Sequence, residues 1–433
     1  MPSVTPPPAP TPSRATLEPD AARVPARVWS GTALQVGVRV LTTLTTFAGL
    51  ALLARGLPGV EFGRLTFYLA ALLFLEAWVD AGTSTAALQR AAGNEEELGR
   101  CVRAARRLRA GAAGLGTLAL TSYALLVPEP EWTFVACAGA LSFSRCLEAS
   151  SLWFHARIAW RVPTRVRAVV AVARLSAVLW LWSLGARTFG PFLLAHAALG
   201  AAGNVALFLL ARDHLPRAGR TAPGFARAAL SLAVLGIAQQ SYFYADNLVV
   251  RSLEGDASLG HYNAAVRVFG LLVMVAGLAT NTALPWLARQ AERTSLQRAA
   301  VRLGAPLFLG TLVVVLPVFP FAEELLRSLF GARFAVATSS LQFLLGAALL
   351  VSLGSAFLTA VIAAGRVRSA VGIALGGLVL NLVGNLRLVP ELGIEGAAIA
   401  TLATELFVGL ASACVLFSLP PGAKAAARRP HDR

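Results

Sequence analysis

Charged residues are scarce in this sequence. Only 14% of its 433 residues are Asp, Glu, Lys or Arg, whereas 56% are hydrophobic and the mean hydropathy is +0.66. Soluble proteins usually carry about 25% charged residues, so this composition excludes an ordinary soluble globular protein. Acidic residues are the scarcer sign, with 22 against 38 basic residues and a net charge of +16.

Cysteine and histidine are also rare. The chain has four cysteines and five histidines, and neither set has the spacing of metal ligands or of a disulfide framework. The sequence contains no P-loop, which argues against ATP-driven transport by this chain alone. We therefore expect no metal site and no cofactor.

The start of the chain lacks the apolar core of a signal peptide. Instead it is rich in proline, reading "MPSVTPPPAPTP". Such a composition predicts a disordered cytoplasmic tail over residues 1–28.

Apolar runs of about 20 residues, the length a helix needs to cross a bilayer, are abundant. The pattern predicts an all-α integral membrane protein with about 12 transmembrane helices. The predicted spans are 29–54, 65–87, 108–127, 132–154, 167–185, 189–211, 228–250, 262–284, 303–321, 338–362, 369–388 and 394–418.

Basic residues alternate between the two sets of connections that these spans define. Of the 38 Lys and Arg residues, 27 lie in the termini and in the connections after even-numbered spans, and seven in the connections after odd-numbered spans. The positive-inside rule then predicts that both termini are cytoplasmic. The positive charge is accounted for by topology, so nucleic acid is not an expected partner.

Two polar turns between spans resemble each other. "RGLPGVEFGRL" (55–65) follows the first span and "RSLEGDASLGHY" (251–262) follows the seventh. A second pair of similar stretches, 184–199 and 392–406, leads into the sixth and twelfth spans. The pattern favours two six-helix lobes around a central cavity, a plan used by secondary transporters, although independently arising turns are an alternative. The predicted domains are 1–28 (tail), 29–212 (first lobe), 213–227 (cytoplasmic linker), 228–418 (second lobe) and 419–433 (basic cytoplasmic tail).

The repeated segments also carry a resemblance to a known family. The runs 52–90, 246–272 and 393–406 resemble blocks of Wzx-type polysaccharide flippases, of the multidrug/oligosaccharidyl-lipid/polysaccharide exporter (MOP) superfamily. This resemblance implies a bacterial inner-membrane protein that moves an undecaprenyl-diphosphate-linked oligosaccharide from the cytoplasmic to the periplasmic leaflet by alternating access, with ion coupling. It implies membrane lipid and the polysaccharide polymerase machinery as partners.

Four basic residues lie well inside the predicted spans, away from the span ends, where a charge is costly and is a functional candidate by default. We predict that they form a cationic cavity for the carrier's diphosphate, because guanidinium groups bind phosphate through two oxygens. Alternatively, two of them snorkel to an interface and another pairs with Glu148 at i, i+3. The four candidates are Arg39, Arg145, Arg174 and Arg267.

Acidic and amide residues within the spans are further candidates. Glu76, Asp80 and Glu405 are predicted to couple ion movement to transport; the alternative is that they serve as counter-ions for the arginines. The seventh span presents a polar face beside Tyr244 that is predicted to contact sugars or, alternatively, to bond between helices. That face comprises Gln239, Gln240, Tyr242, Asp246 and Asn247.

Competing functions remain open at this stage. An enzyme would need a catalytic arrangement on an outer loop, yet the longest predicted outer connection, 322–337, presents no nucleophile–base pair. A multidrug or cation antiporter of the same superfamily is disfavoured by the buried arginines. A flippase for the peptidoglycan precursor would share both the fold and the diphosphate, and a membrane scaffold would leave the buried charges unexplained.

Overall fold

A computed structural model describes residues 23–91, 94–157, 159–215, 222–290 and 292–419. Within these ranges the regular structure is helical. The α-helices are α1 (Arg23–Gly56), α2 (Gly59–Asp80), α3 (Thr83–Ala91), α4 (Glu95–Leu126), α5 (Trp132–Leu141), α6 (Arg145–Glu148), α7 (Leu152–Ala156), α8 (Arg161–Ser183), α9 (Phe189–Ala211), α10 (Phe225–Ala288), α11 (Arg293–Val318), α12 (Ala322–Phe330), α13 (Thr338–Ala363), α14 (Val367–Leu392) and α15 (Ile394–Phe417).

The predicted spans all coincide with helical segments, and the prediction of an all-α membrane protein of about 12 helices is confirmed. Nine helical stretches of the described residues are long and apolar enough to cross a membrane on their own. The segments around α4 and α5–α7 fall short, since α4 begins with a charged region and α5, α6 and α7 are joined by short 3₁₀ turns. The chain is a multi-pass membrane protein. Of the predicted tails, residues 1–22 and 420–433 lie outside the described residues. Residues 23–28, predicted to belong to the disordered tail, instead form the start of α1.

The junction between the seventh and eighth spans lies within the predicted turn, 251–262. There α10 consists of two helical segments that meet at a kink at Gly255, whose φ of 83° and ψ of 175° are not helical, so the connection is shorter than the expected polar turn. Glycine tolerates this positive φ because it has no Cβ. A shorter interruption separates α2 from α3, where Ala81 and Gly82 both have positive φ.

The two repeated turns pack directly against each other. A Cβ built on Gly63 would lie 1.7 Å from the carbonyl oxygen of Asp256, and one built on Gly260 would lie 3.2 Å from the Gly59 oxygen. Residues 55–64 and 251–261 are therefore in direct contact. We call this end of the molecule the hairpin end, and we call residues 23–215 and 222–419 the N-terminal and C-terminal halves.

Apolar packing seals the hairpin end. The largest buried cluster joins residues of both halves there, including Phe62 of α2 and Phe334 of the 3₁₀ segment Ala332–Ala337, whose rings meet edge to face at 5.5 Å. Arg333 from the same segment donates to the Leu57 carbonyl oxygen at 2.6 Å. This segment and α12 fold over the end of α1, in a connection for which the sequence predicted no structure.

Candidate functional site

Three of the predicted cavity arginines have no carboxylate partner among the described residues. They are Arg39 of α1, Arg174 of α8 and Arg267 of α10. The Nε atom of Arg267 is buried without a hydrogen-bond partner in the described structure. At a rise of about 1.5 Å per residue, they lie roughly 14 to 25 Å from the hairpin end.

These three side chains belong to one electrostatic environment. The Tyr244 hydroxyl is close enough to interact with both Arg39 and Arg267. The His196 ring is within electrostatic range of Arg174 and Arg267, and also of Arg145. Arg267 is thus linked electrostatically to Arg39 through Tyr244, and to Arg174 and Arg145 through His196.

Local packing explains how Arg174 is held there. Its Nε donates to the carbonyl oxygen of His196 on α9 at 3.2 Å. A Cβ on Gly200 would lie 2.5 Å from the Arg174 Nη2, so the missing side chain makes room for the guanidinium group against α9. Both Arg174 and His196 line a cavity of about 50 Å³ whose other walls are mostly apolar residues of α1, α2, α8 and α9.

Arg145 differs from the other three because it is paired. It forms ion pairs with Glu76 of α2 and, at 2.9 Å, with Glu148 of its own helix. Asp80, one turn from Glu76, pairs with Arg109, which is only 3% exposed. The counter-ion alternative thus describes Glu76 and Asp80 in this structure, and their coupling role stays a prediction.

These ion pairs surround a polar cavity within the N-terminal half. It has a volume of about 180 Å³, and Ser84, His155 and Arg167 also line it. The charge count grouped Arg109, at the start of the third predicted span, with a cytoplasmic connection. The structure instead buries it, because the start of α4 packs along α3.

Asp246 lies in a separate buried cluster of the C-terminal half. Its carboxylate accepts hydrogen bonds from the Tyr262 hydroxyl at 2.6 Å, the Thr401 hydroxyl at 2.9 Å and the Asn385 amide at 2.9 Å. Asn381 contacts Asn385 at 3.2 Å. No basic side chain among the described residues pairs with Asp246.

The rest of the predicted polar face is divided between several environments. Asn247 is buried and accepts from Asn263 at 2.7 Å, and Asn263 also donates to Thr66 of α2 at 3.1 Å, so that interhelical bonding describes this part of the face. Gln240 is half-buried. The side chains of Gln239 and Tyr242 lie outside the described residues, and Glu405 is buried on α15.

An ion cluster at the hairpin end joins the two halves, and sequence reasoning missed it. Arg251 of α10 binds Glu129 at 2.6 Å and Asp256 at 2.7 Å. Arg64 of α2 reaches Asp256 at 3.1 Å and Glu129 at 3.3 Å. The charge count placed both arginines in outer connections. Arg251 holds a position equivalent to Arg55 in the repeated turns, but repetition alone does not reveal burial.

The described residues contain no cluster of three or more His, Cys, Asp or Glu side chains that could hold a metal ion. The Asp246 cluster is a different kind of candidate, since one carboxylate, two amides and two hydroxyl groups offer the oxygen ligands that hard cations prefer. The orientation of each asparagine amide is an assignment, because its oxygen and nitrogen atoms can exchange places. A bound cation would turn the amide oxygen, instead of the nitrogen, toward the carboxylate. The Asn385 Oδ1 and Asn381 Nδ2 atoms are buried without partners in the described structure, which is consistent with such reversal.

Comparison with known proteins identifies the fold. No protein-family model and no curated protein sequence matches the chain. Among solved structures it is similar to the lipid II flippase MurJ in an inward closed conformation, with a TM-score of 0.71 at 13% identity, covering 90% of this chain and 88% of that one. It is also similar to an inward-facing multidrug resistance MATE family transporter of the MOP superfamily (TM-score 0.66, 14% identity, 89% and 96% covered). A third similar structure is a MOP superfamily transporter from Pyrococcus furiosus with a binding pocket of reverse polarity (TM-score 0.61, 14% identity, 90% and 93% covered).

Proposed function

We propose that this chain is a flippase that moves an undecaprenyl-diphosphate-linked oligosaccharide from the cytoplasmic to the periplasmic leaflet of a bacterial inner membrane. The observation that carries this proposal is that the guanidinium groups of Arg39, Arg174 and Arg267 have no carboxylate partner among the described residues. Arg39 is exposed, and Arg174 and Arg267 are half-buried. An unpaired arginine at mid-helix costs about 2.5–3.5 kcal/mol in a bilayer, and a bound anion compensates this cost. A diphosphate supplies that anion.

The sign of the charge favours this function over export of cationic drugs. A cavity for organic cations needs unpaired carboxylates, whereas Glu76 and Asp80 are each paired with an arginine. Asp246 has no basic partner among the described residues, but it lies in a separate buried cluster where neutral side chains already bond to its carboxylate. The fold alone does not choose, because it is shared by MurJ and by MATE transporters.

A lipid II flippase is the second candidate, favoured by the similarity to MurJ. Its substrate carries the same diphosphate, so Arg39, Arg174 and Arg267 would serve either lipid. The resemblance of residues 52–90 to Wzx-type proteins favours the oligosaccharide substrate, which implies that a polysaccharide polymerase consumes the product.

We further propose that Asp246 provides ion coupling. A buried carboxylate that is bonded only to neutral hydroxyl and amide groups either binds a proton or holds a small cation. Its cluster joins α10, α14 and α15 through Tyr262, Asn385 and Thr401. Occupation of this cluster therefore changes how these helices pack, which is the requirement for coupling ion binding to a conformational change.

The test is transport by purified protein in lipid vesicles. A fluorescent undecaprenyl-diphosphate oligosaccharide, lipid II and a cationic dye are compared as substrates. We expect translocation of the oligosaccharide carrier, loss of it in the Arg39→Ala, Arg174→Ala and Arg267→Ala variants, and no dye transport.

Arg327→Ala is the matched control. Arg327 is exposed and pairs with Glu323 on the short helix α12, away from the cavity, so transport should persist. Transport of lipid II alone would select the second candidate. Dye transport that survives all three alanine substitutions would instead support a drug antiporter.

A further inference from the structure

Arg251 crosses the boundary between the two halves at the hairpin end. It belongs to the C-terminal half, yet its guanidinium group lies over the rings of Phe67, Tyr68 and Tyr123 of the N-terminal half, with the nearest centroid 4.4 Å away. Its side chain is only 5% exposed. It is therefore enclosed by the opposite half while this end is closed.

The contacts of Arg251 divide into two groups. The Nε bond to Asp256, at 2.7 Å, joins residues of the same half and survives when the halves separate. The Nη2 bond to Glu129, at 2.6 Å, and the three aromatic contacts cross the boundary. Separation at the hairpin end therefore frees the edge of the guanidinium group that carries Nη1 and Nη2.

That edge has the geometry of a phosphate-binding group. Two parallel N–H donors of a guanidinium group match two oxygens of a carboxylate or a phosphate. Glu129 already occupies one of these donors, and Nη1 is buried without a hydrogen-bond partner among the described residues. The site is thus built for an anion, and in the closed state a carboxylate of the protein is that anion.

We infer that Arg251 is a second phosphate-binding residue, masked by Glu129 while the hairpin end is closed and bound by the substrate's diphosphate when the halves separate there. The inference rests on the proposed function. It extends the anion path from Arg39, Arg174 and Arg267 to the hairpin end. An unpaired buried guanidinium group would be strongly destabilising. Exchange of Glu129 for the diphosphate keeps the guanidinium group of Arg251 paired. The arriving headgroup thereby favours opening.

A cysteine pair reports closure of this end. A Cβ on Gly59 would lie 3.8 Å from the Cβ of Ala257 across the boundary, within the range of about 3.5–4.5 Å that a disulfide needs. The parent protein is the Gly59→Cys/Ala257→Cys variant. Its native cysteines, Cys101, Cys137, Cys146 and Cys414, are replaced by serine. The rate of disulfide formation then measures the closed population.

The probes are farnesyl diphosphate and farnesol, which share the apolar chain and differ in the anionic group. In the parent protein we expect farnesyl diphosphate, and not farnesol, to slow cross-linking. Equal rates with and without farnesyl diphosphate would overturn the inference.

Three variants separate Arg251 from general loosening of the interface. Glu129→Gln should slow cross-linking without ligand by roughly tenfold or more, because one partner of a buried ion pair is removed. Arg64→Gln, the matched control, should also slow it and should keep the response to farnesyl diphosphate. The Glu129→Gln/Arg251→Gln double variant, whose amides can bond to each other, should cross-link at nearly the parent rate and lose the response.

A response that persists in the double variant would also overturn the inference. Failure of the proposed function is recognised separately, by titrating the parent protein and its Arg267→Ala variant with farnesyl diphosphate. Binding that depends on Arg267, together with a cross-linking rate that does not change with ligand, supports the proposed function and rejects the role of Arg251. Absence of binding to the parent rejects both.

Discussion

Replacing Arg267 by alanine should weaken diphosphate binding and stabilise the protein at the same time. Arg267 has no carboxylate partner in the described structure, and its Nε is buried without a hydrogen bond. In the substrate-free protein its charge is therefore unfavourable. In the complex it is compensated by the diphosphate.

Both magnitudes follow from this environment. A hydrogen bond to a charged group contributes about 1.5–3 kcal/mol, so loss of the guanidinium contact should raise the Kd for a diphosphate roughly 10- to 100-fold. Removing an unpaired charge from mid-helix relieves part of an insertion cost of about 2.5–3.5 kcal/mol. Accordingly the Tm of the substrate-free protein should rise by a few degrees, about 2 to 4 °C for each kcal/mol recovered. Arg267→Lys retains the charge without the two-pronged geometry and should be intermediate in binding.

The assay is titration of purified protein with farnesyl diphosphate, accompanied by thermal unfolding with and without ligand. Arg327→Ala serves as the control and should change neither quantity, because that side chain is exposed. Unchanged diphosphate affinity in the Arg267→Ala variant would refute the reasoning. A lowered Tm without ligand would show that Arg267 is compensated within the protein.

Further predictions follow from other sites. Asp246→Asn removes the buried carboxylate while keeping its shape, and we expect substrate binding to persist while transport in vesicles no longer responds to a proton or sodium gradient; a full response would contradict the coupling role. Gly63→Ala places a Cβ 1.7 Å from the Asp256 carbonyl oxygen, so the hairpin end should close less well, with slower Gly59→Cys/Ala257→Cys cross-linking; an unchanged rate would contradict this packing. Reporter fusions within 100–107 should indicate the cytoplasm and those at 128–131 the periplasm, and reports from the same side would contradict the topology inferred from charge.

Much of the fold is encoded in local sequence properties. A span is recognised from about 20 consecutive apolar residues, and orientation from basic residues in its flanking connections, so both are properties of neighbouring residues. The repeated turns were likewise recognised from the sequence. They form the hairpin end, where Gly63 and Gly260 allow the backbones to come into contact. The junction between the seventh and eighth spans also lies where the sequence predicts it, but it is a kink at one residue, Gly255, whose positive φ makes the change of direction that a longer polar segment was expected to make.

The arginines within the spans show what local sequence properties do not determine. The sequence alone shows that these charges lie within apolar spans, where each has an unfavourable free energy of insertion into the bilayer. The residues are Arg39, Arg145, Arg174 and Arg267. Whether each charge is compensated depends on residues far away in the chain. Glu76 pairs with Arg145 only because α2 packs beside α6. Arg267 has no such partner among the described residues. Arg251 was counted as a residue of an outer connection. In the structure it forms an ion pair at the boundary between the halves with Glu129, which is 122 positions away in the chain. Hydropathy and the order of charges are properties of neighbouring residues and follow directly from the sequence. Ion pairing depends on distances between side chains, which tertiary packing alone sets.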